Sequence, residues 1–157
     1  MAKLDMSDGH ADALVAEGGI YLLIVDESPE FQKALKAASA LAFNNKAYIA
    51  LLYVIEPPDF QQWGAVEDKI IAEQKRKAGE LMLQSAQMLN EMHGHKPSFH
   101  IMDGKVRDVT VEVIEHNPEI KALVLGVGEG SNPLVTYFSG KGLSSLKIPL
   151  FIIPGQT

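Results

Sequence analysis

The stretch "LVLGVGEGSNPLVTYFSGKG", residues 123–142, decides how this chain folds. An apolar run breaks into glycines at Gly126, Gly128 and Gly130, and Ser131, Asn132 and Pro133 follow at once. A short continuous apolar run is the mark of a strand buried on both faces, as in a parallel sheet. Glycines between such a strand and a helix can serve two ends. Their backbone N–H groups can converge on an anion at the helix N-terminus, or they can merely let the chain turn. Ser131 or Asn132 can cap the helix in either case, and Pro133 suits its first position.

Working outward, "IYLLIV" (20–25), "AYIALLYVI" (47–55) and "KALVLGV" (121–127) all have this buried-strand character. "IPLFIIP" (148–154) is a last strand bracketed by prolines, and "SFHIM" (98–102) alternates weakly, as a half-buried edge strand would. Helical patterns fill the intervals. Ser28 caps, Pro29 opens and Glu30 favours a helix over 29–43, with Ala34, Leu35, Ala38, Leu41 and Ala42 on its inner stripe. A long helix runs over 61–92, with Val66, Ile70, Ala78, Leu81, Ser85, Leu89 and Met92 along one face. A third covers 104–116 with Val106, Val109, Val113 and Ile114 inward, and a fourth runs from Pro133 to Leu146. Strands alternating with helices predict a parallel sheet with right-handed crossovers.

The 157 residues suit one domain, with 1–18 as a flexible tail carrying a helical turn near Ala11–Ala16 and 19–157 as the folded unit. Cysteine is absent, which excludes disulfides, thiolate metal sites and thiol catalysis. A net charge of −6 argues against wrapping nucleic acid, and no apolar stretch approaches the roughly 20 residues of a membrane span. With no signal peptide visible, a cytoplasmic protein is expected. His93, His95 and His100 read as loop histidines rather than a metal site, and Trp63 as a staple at the start of the long helix. The charge run Glu67–Lys77 reads as a solvated face with local ion pairs.

In open α/β sheets, ligands sit beyond the strand carboxyl ends where strand order reverses. Asp26 ends the first strand, Val54, Ile55 and Glu56 end the second, and the glycine segment ends the fourth. "IVDES" (24–28), "LLYVIE" (51–56), "GK-V" (104–106), "LVLG…G…G" (123–140) and "PLFIIP" (149–154), in this order, resemble the universal stress protein family over residues 20–154. The resemblance implies a three-layer, adenine nucleotide alpha hydrolase-like fold. Its five-stranded parallel sheet has the order 3-2-1-4-5, with two helices on each face, so strands one and four are neighbours. It also implies dimerisation through the last strand (149–153), an apolar edge that physical grounds alone would lead to pair.

The nucleotide-binding branch of that family carries G-x2-G-x9-G-[ST] after strand four. By resemblance, Asp26 and Val54 hold the adenosine end of ATP or AMP, with magnesium, and Gly126, Gly130 and Gly140 wrap the phosphates. Gly128 and Ser131 add donors to that cradle. The chain departs from the motif twice. Three residues separate Gly126 from Gly130 instead of two, and Lys141 stands where a hydroxyl residue is expected, as a substitute charge for the phosphates. Glu129 places a carboxylate in the same loop. Two readings follow: a nucleotide-sensing regulatory module of stress response, or a dimeric interaction module of the same fold without nucleotide. No general base, nucleophile or metal-ligand set stands out, so no catalytic residue is assigned and any ATP hydrolysis would be slow.

Overall fold

Apolar runs of this kind must be covered on both sides, and the chain covers them by putting a helix between every pair of consecutive strands. The computed structural model describes residues 17–57, 64–128 and 132–154, without the side chains of 64, 65 and 67. Trp63, Glu129, Gly130, Ser131 and the tail before Glu17 lie outside the described residues. The strands are β1 (Ile20–Ile24), β2 (Tyr48–Ile55), β3 (Ser98–Asp103), β4 (Ile120–Val127) and β5 (Leu150–Pro154). All neighbours pair in parallel in the order β3-β2-β1-β4-β5. The central β1 is buried along its whole length. On edge strand β3, buried Ser98 and His100 alternate with exposed Phe99 and Ile101, the half-buried pattern expected there.

Two helices cover each face. α1 (Pro29–Asn44) and α2 (Gly64–His93) pack on one side, where Phe31, Leu35, Ala38, Met82 and Leu89 meet Leu23, Leu51 and Val124. α3 (Val106–His116) and α4 (Pro133–Phe138) pack on the other, where Val113, Ile114 and Phe138 meet Leu22, Leu52 and Leu123. The alternating side chains of one strand thus feed two separate cores. The α1 cap is as read: the Ser28 hydroxyl accepts from the Phe31 N–H at 3.2 Å.

Three expectations need correction. The long helix is not buried along its whole stripe. Val66 is exposed, and the first buried residue described on α2 is Ala78. A 30-residue helix is about 45 Å long and outruns strands of at most eight residues. The fourth helix stops at Phe138, and Lys141–Ser145 form only a 3-10 helix. Gly140 takes a non-helical conformation, and Gly142 lies so close under the Tyr137 ring that a Cβ would strike it. Glycine's low helix propensity lets the chain break there. Finally, the histidines are not simply solvated. His93 Nδ1 lies 2.6 Å from the buried Ser39 hydroxyl and its ring stacks on Phe43, while His95 Nε2 lies 2.8 Å from the Ser39 carbonyl. Both fasten the end of α2 to α1. His100 is buried, 2.8 Å from Ser98 Oγ. Among the described residues no three histidine or acidic side chains gather as for a metal ion, and no helix is long and apolar enough to cross a membrane.

Candidate functional site

The strand order reverses between β1 and its neighbours: β1 leads through α1 to β2 on one side, and β3 returns through α3 to β4 on the other. Asp26 stands just past β1 at this switch point, with Gly126 on the adjacent β4, the neighbour relation that the resemblance implied. Asp26 is exposed, and its Oδ1 accepts from the Ser28 N–H at 2.7 Å and the Ser28 hydroxyl at 2.5 Å. Ser28 in turn caps α1. One carboxylate oxygen of Asp26 thus closes the turn that leads into α1. Oδ2 has no hydrogen bond to the described residues.

The hollow that Asp26 and Gly126 share is small. It is lined also by Phe31, Asn132 and Leu134, and holds about 20 Å³, room for one water. The larger space lies next to it, over β1 and β2. That cavity has a volume of about 470 Å³, within the range of small-molecule sites. Asp26, Glu27, Tyr53, Val54, Glu56 and Lys77 line it, and Asn132, Pro133 and Leu134 close its far wall. Asp26 and Val54 are thus brought together, while Gly126 borders only the small hollow.

The glycines at the end of β4 have a packing reason. A Cβ on Gly126 would strike the Glu30 carbonyl, and one on Gly128 would strike the Glu30 carboxylate. The first turn of α1 can approach the strand end because Gly126 has no side chain to meet its backbone; at Gly128 the neighbour is the movable Glu30 carboxylate. A carboxylate therefore stands beside Gly128, where the phosphate reading wants an anion. Asn132 secures the other side of the turn: its Oδ1 accepts from the Leu134 and Val135 N–H groups at 3.0 and 3.3 Å, and its Nδ2 donates to the Gly126 carbonyl at 3.0 Å. Gly140 and Lys141 are exposed beyond the far end of α4 and line neither hollow. Gly130 and Ser131 lie outside the described residues.

Sequence reasoning missed Tyr53, Lys77 and the capping role of Glu56. Glu56 accepts from the Val106 N–H at 2.8 Å and so caps α3, whose own cap residue Lys105 provides no side-chain bond. Tyr53 precedes Val54 on β2, so its side chain lies on the opposite face and flanks the same strand end. Burial raises its phenol pKa above the ordinary value, and the negative charges of Glu27 and Asp26 add to this against the opposing Lys77. Lys77 looked like one more member of the charge run. In fact it leaves the neighbouring ion pairs of Arg76 with Glu73 and Glu80 and pairs with Glu27 across the gap to β1. The bond to Glu27, and then its charge, raise the ammonium pKa. Periodicity places Lys77 on the long helix, but only the tertiary fold could have shown which loop it meets.

Comparison with known proteins agrees with this architecture. The model of the universal stress protein family matches residues 21–132. No curated protein sequence matches the chain. Among solved structures, the universal stress protein UspA from Lactobacillus plantarum superimposes with a TM-score of 0.75 at 19% identity, covering 88% of this chain and 99% of the other. A universal stress protein in complex with cAMP gives 0.64 at 13% identity, with 90% and 100% covered. The universal stress protein from Archaeoglobus fulgidus in complex with dAMP gives 0.56 at 15% identity, with 86% and 97% covered. At these identities the likeness is one of fold.

Proposed function

Since this chain belongs to the universal stress protein family, we propose that it is a stress-response regulatory protein whose cavity beside Asp26 takes an adenine nucleotide. The observation that carries this reading is the open cavity of about 470 Å³ at the switch point, bordered by both Asp26 and Val54. Oδ2 of Asp26 can accept from ribose hydroxyls, and Val54 offers an apolar wall to a base. The two nucleotide complexes of similar fold, with cAMP and dAMP, point to the same ligand class. The folded unit that would do this spans 19–157.

The charges favour one phosphate over three. Among the described residues lining the cavity, Asp26, Glu27 and Glu56 stand against one cation, Lys77, and Glu30 stands at Gly128. A triphosphate would add like charge to this rim unless magnesium came with it. The residues fit magnesium only in that way, with Asp26 as one carboxylate ligand beside the nucleotide's own oxygens. Calorimetry with adenosine, AMP, cAMP and ATP, with and without magnesium, is the test. Binding of AMP and cAMP is expected, with ATP weaker unless magnesium is present. No heat from any of them at millimolar concentration removes the proposal.

A second reading has its own support. The close packing of the Glu30 backbone on Gly126 explains that glycine without any ligand. The chain would then act as a dimeric interaction module. In both readings the dimer forms through β5, a sheet edge on which Ile152 is 37% exposed and Pro154 ends the strand. A cytoplasmic location suits either.

A further inference from the structure

A second large cavity opens at the other end of the sheet, and it arises from a mismatch of lengths. β4 begins at Ile120, but β5 pairs with it only from Leu123, opposite Leu150. The first stretch of β4, about 10 Å, therefore has no strand partner on that side. α4 is too short to fill the gap. Its six residues span about 9 Å, whereas the eight of β4 span about 26 Å. The result is a cavity of about 560 Å³ between the end of α3, the start of β4 and the approach to β5. Its size is that of an ordinary small-molecule site, and it shares no described lining residue with the cavity beside Asp26.

Buried Ile114 and Ile120 form its floor, and half-buried Ile148 stands beside them with Pro118 and Pro149. No aromatic ring is among the described residues that line it, so a base or other flat ring has nothing to stack on. Sugar hydroxyls laid on this floor would lose water without gaining partners. The rim is charged. Lys121 and Lys147 stand there against Glu115, all three exposed and without an ion pair among the described residues. The Lys121 ammonium donates to the Pro118 carbonyl at 3.1 Å, which keeps it at the edge of the apolar floor. The Ser145 hydroxyl already donates to the Gly142 carbonyl at 2.7 Å, which leaves the two ammonium groups as the side-chain donors open to a ligand. In a chain of net charge −6 this is a local excess of positive charge over an apolar floor. We infer that the cavity binds an amphiphilic anion, a medium-chain aliphatic carboxylate, with its chain on Ile114, Ile120 and Ile148 and its head at Lys121 and Lys147. Burial of the chain supplies the affinity, and the lysines select the charged head.

The test is calorimetric titration of the full chain with decanoate below its micelle concentration. Acetate, the head without the chain, and decanol, the chain without the charge, are titrated beside it. Decanoate is expected to bind about tenfold more tightly than decanol, a difference that charge-assisted contacts supply, and acetate to give no heat. When Lys121→Met and Lys147→Met are combined, that ratio falls to about one. Glu115→Gln raises decanoate affinity severalfold, because the opposing carboxylate is gone. Ile148→Asp puts a charge on the apolar wall and abolishes binding. Far-ultraviolet circular dichroism of each variant checks that it is folded, and the lysine pair, both exposed, keeps the test open should Ile148→Asp not fold. No heat from decanoate at millimolar concentration overturns the site. So does a decanoate-to-decanol ratio near one in the unmodified protein, or a ratio that survives the loss of both lysines. The cavity beside Asp26 is untouched by these changes, so the nucleotide reading stands or falls separately.

Discussion

At Gly126 a single missing side chain decides how close α1 can come to β4. Its Cβ would meet the Glu30 carbonyl, which belongs to helix backbone and cannot swing aside. Gly126→Ala is therefore expected to cost about 2 kcal/mol or more in urea unfolding, whether or not the protein binds nucleotide. That result would separate the packing role of the glycine from any phosphate role. Tyr53 offers a check on the charge around the cavity. Its phenol pKa is raised, chiefly by burial, so the folded state favours the neutral form. The associated stability is complete below the unfolded phenol pKa of about 10 and is lost as pH rises from there through the folded value. Tyr53→Phe should flatten the fall in unfolding midpoint above about pH 10; an equally steep fall in the variant would discard the assignment. At this scale the sequence was legible for the Ser28 cap, and for Asn132 as one of two cap candidates, because those bonds reach neighbours two or three positions away. It was not legible for Lys77 or for Glu56, whose partners lie 50 positions away in the chain.

Among the elements, α2 and α4 carry the contrast. The middle of α2 contains Gly79, where a Cβ would meet nothing within 4 Å. Gly79→Ala should stabilise the protein by about 1 kcal/mol in denaturant unfolding, since it removes glycine's backbone entropy without a clash. No gain would mean that α2 is not continuous at this point. α4 has only six residues and hangs on Asn132, which satisfies two helix N–H groups and one strand carbonyl. Asn132→Ala should cost about 1–2 kcal/mol. Because Asn132 also borders the cavity, the same change should weaken nucleotide binding in calorimetry. Strand and helix types were readable because each run had its own period. The early end of α4 was not, because the apolar pattern runs on past it to Leu143 and Leu146 while the break falls at Gly140 and Gly142, which are poor helix formers.

For the whole molecule, the proposed dimer pairs along the exposed edge of β5. Ile152→Asp should convert a dimer to a monomer in light scattering, with little change in unfolding midpoint, since Ile152 is only partly covered within the chain. A dimer that persists would place the interface elsewhere. The sequence by itself determined that strands and helices alternate, that the sheet is parallel, and that an acidic residue and a glycine turn end two of its strands. Those features rest on hydrophobic period and on turn and cap chemistry, which act between close neighbours. Tertiary structure alone decided that the hollow between Asp26 and Gly126 holds little more than a water, that the usable space lies over β2, and that Lys77 crosses from α2 to Glu27 beside it. Cavities and long-range ion pairs arise from how far side chains of separate elements reach across a gap, and a linear pattern carries no measure of that distance.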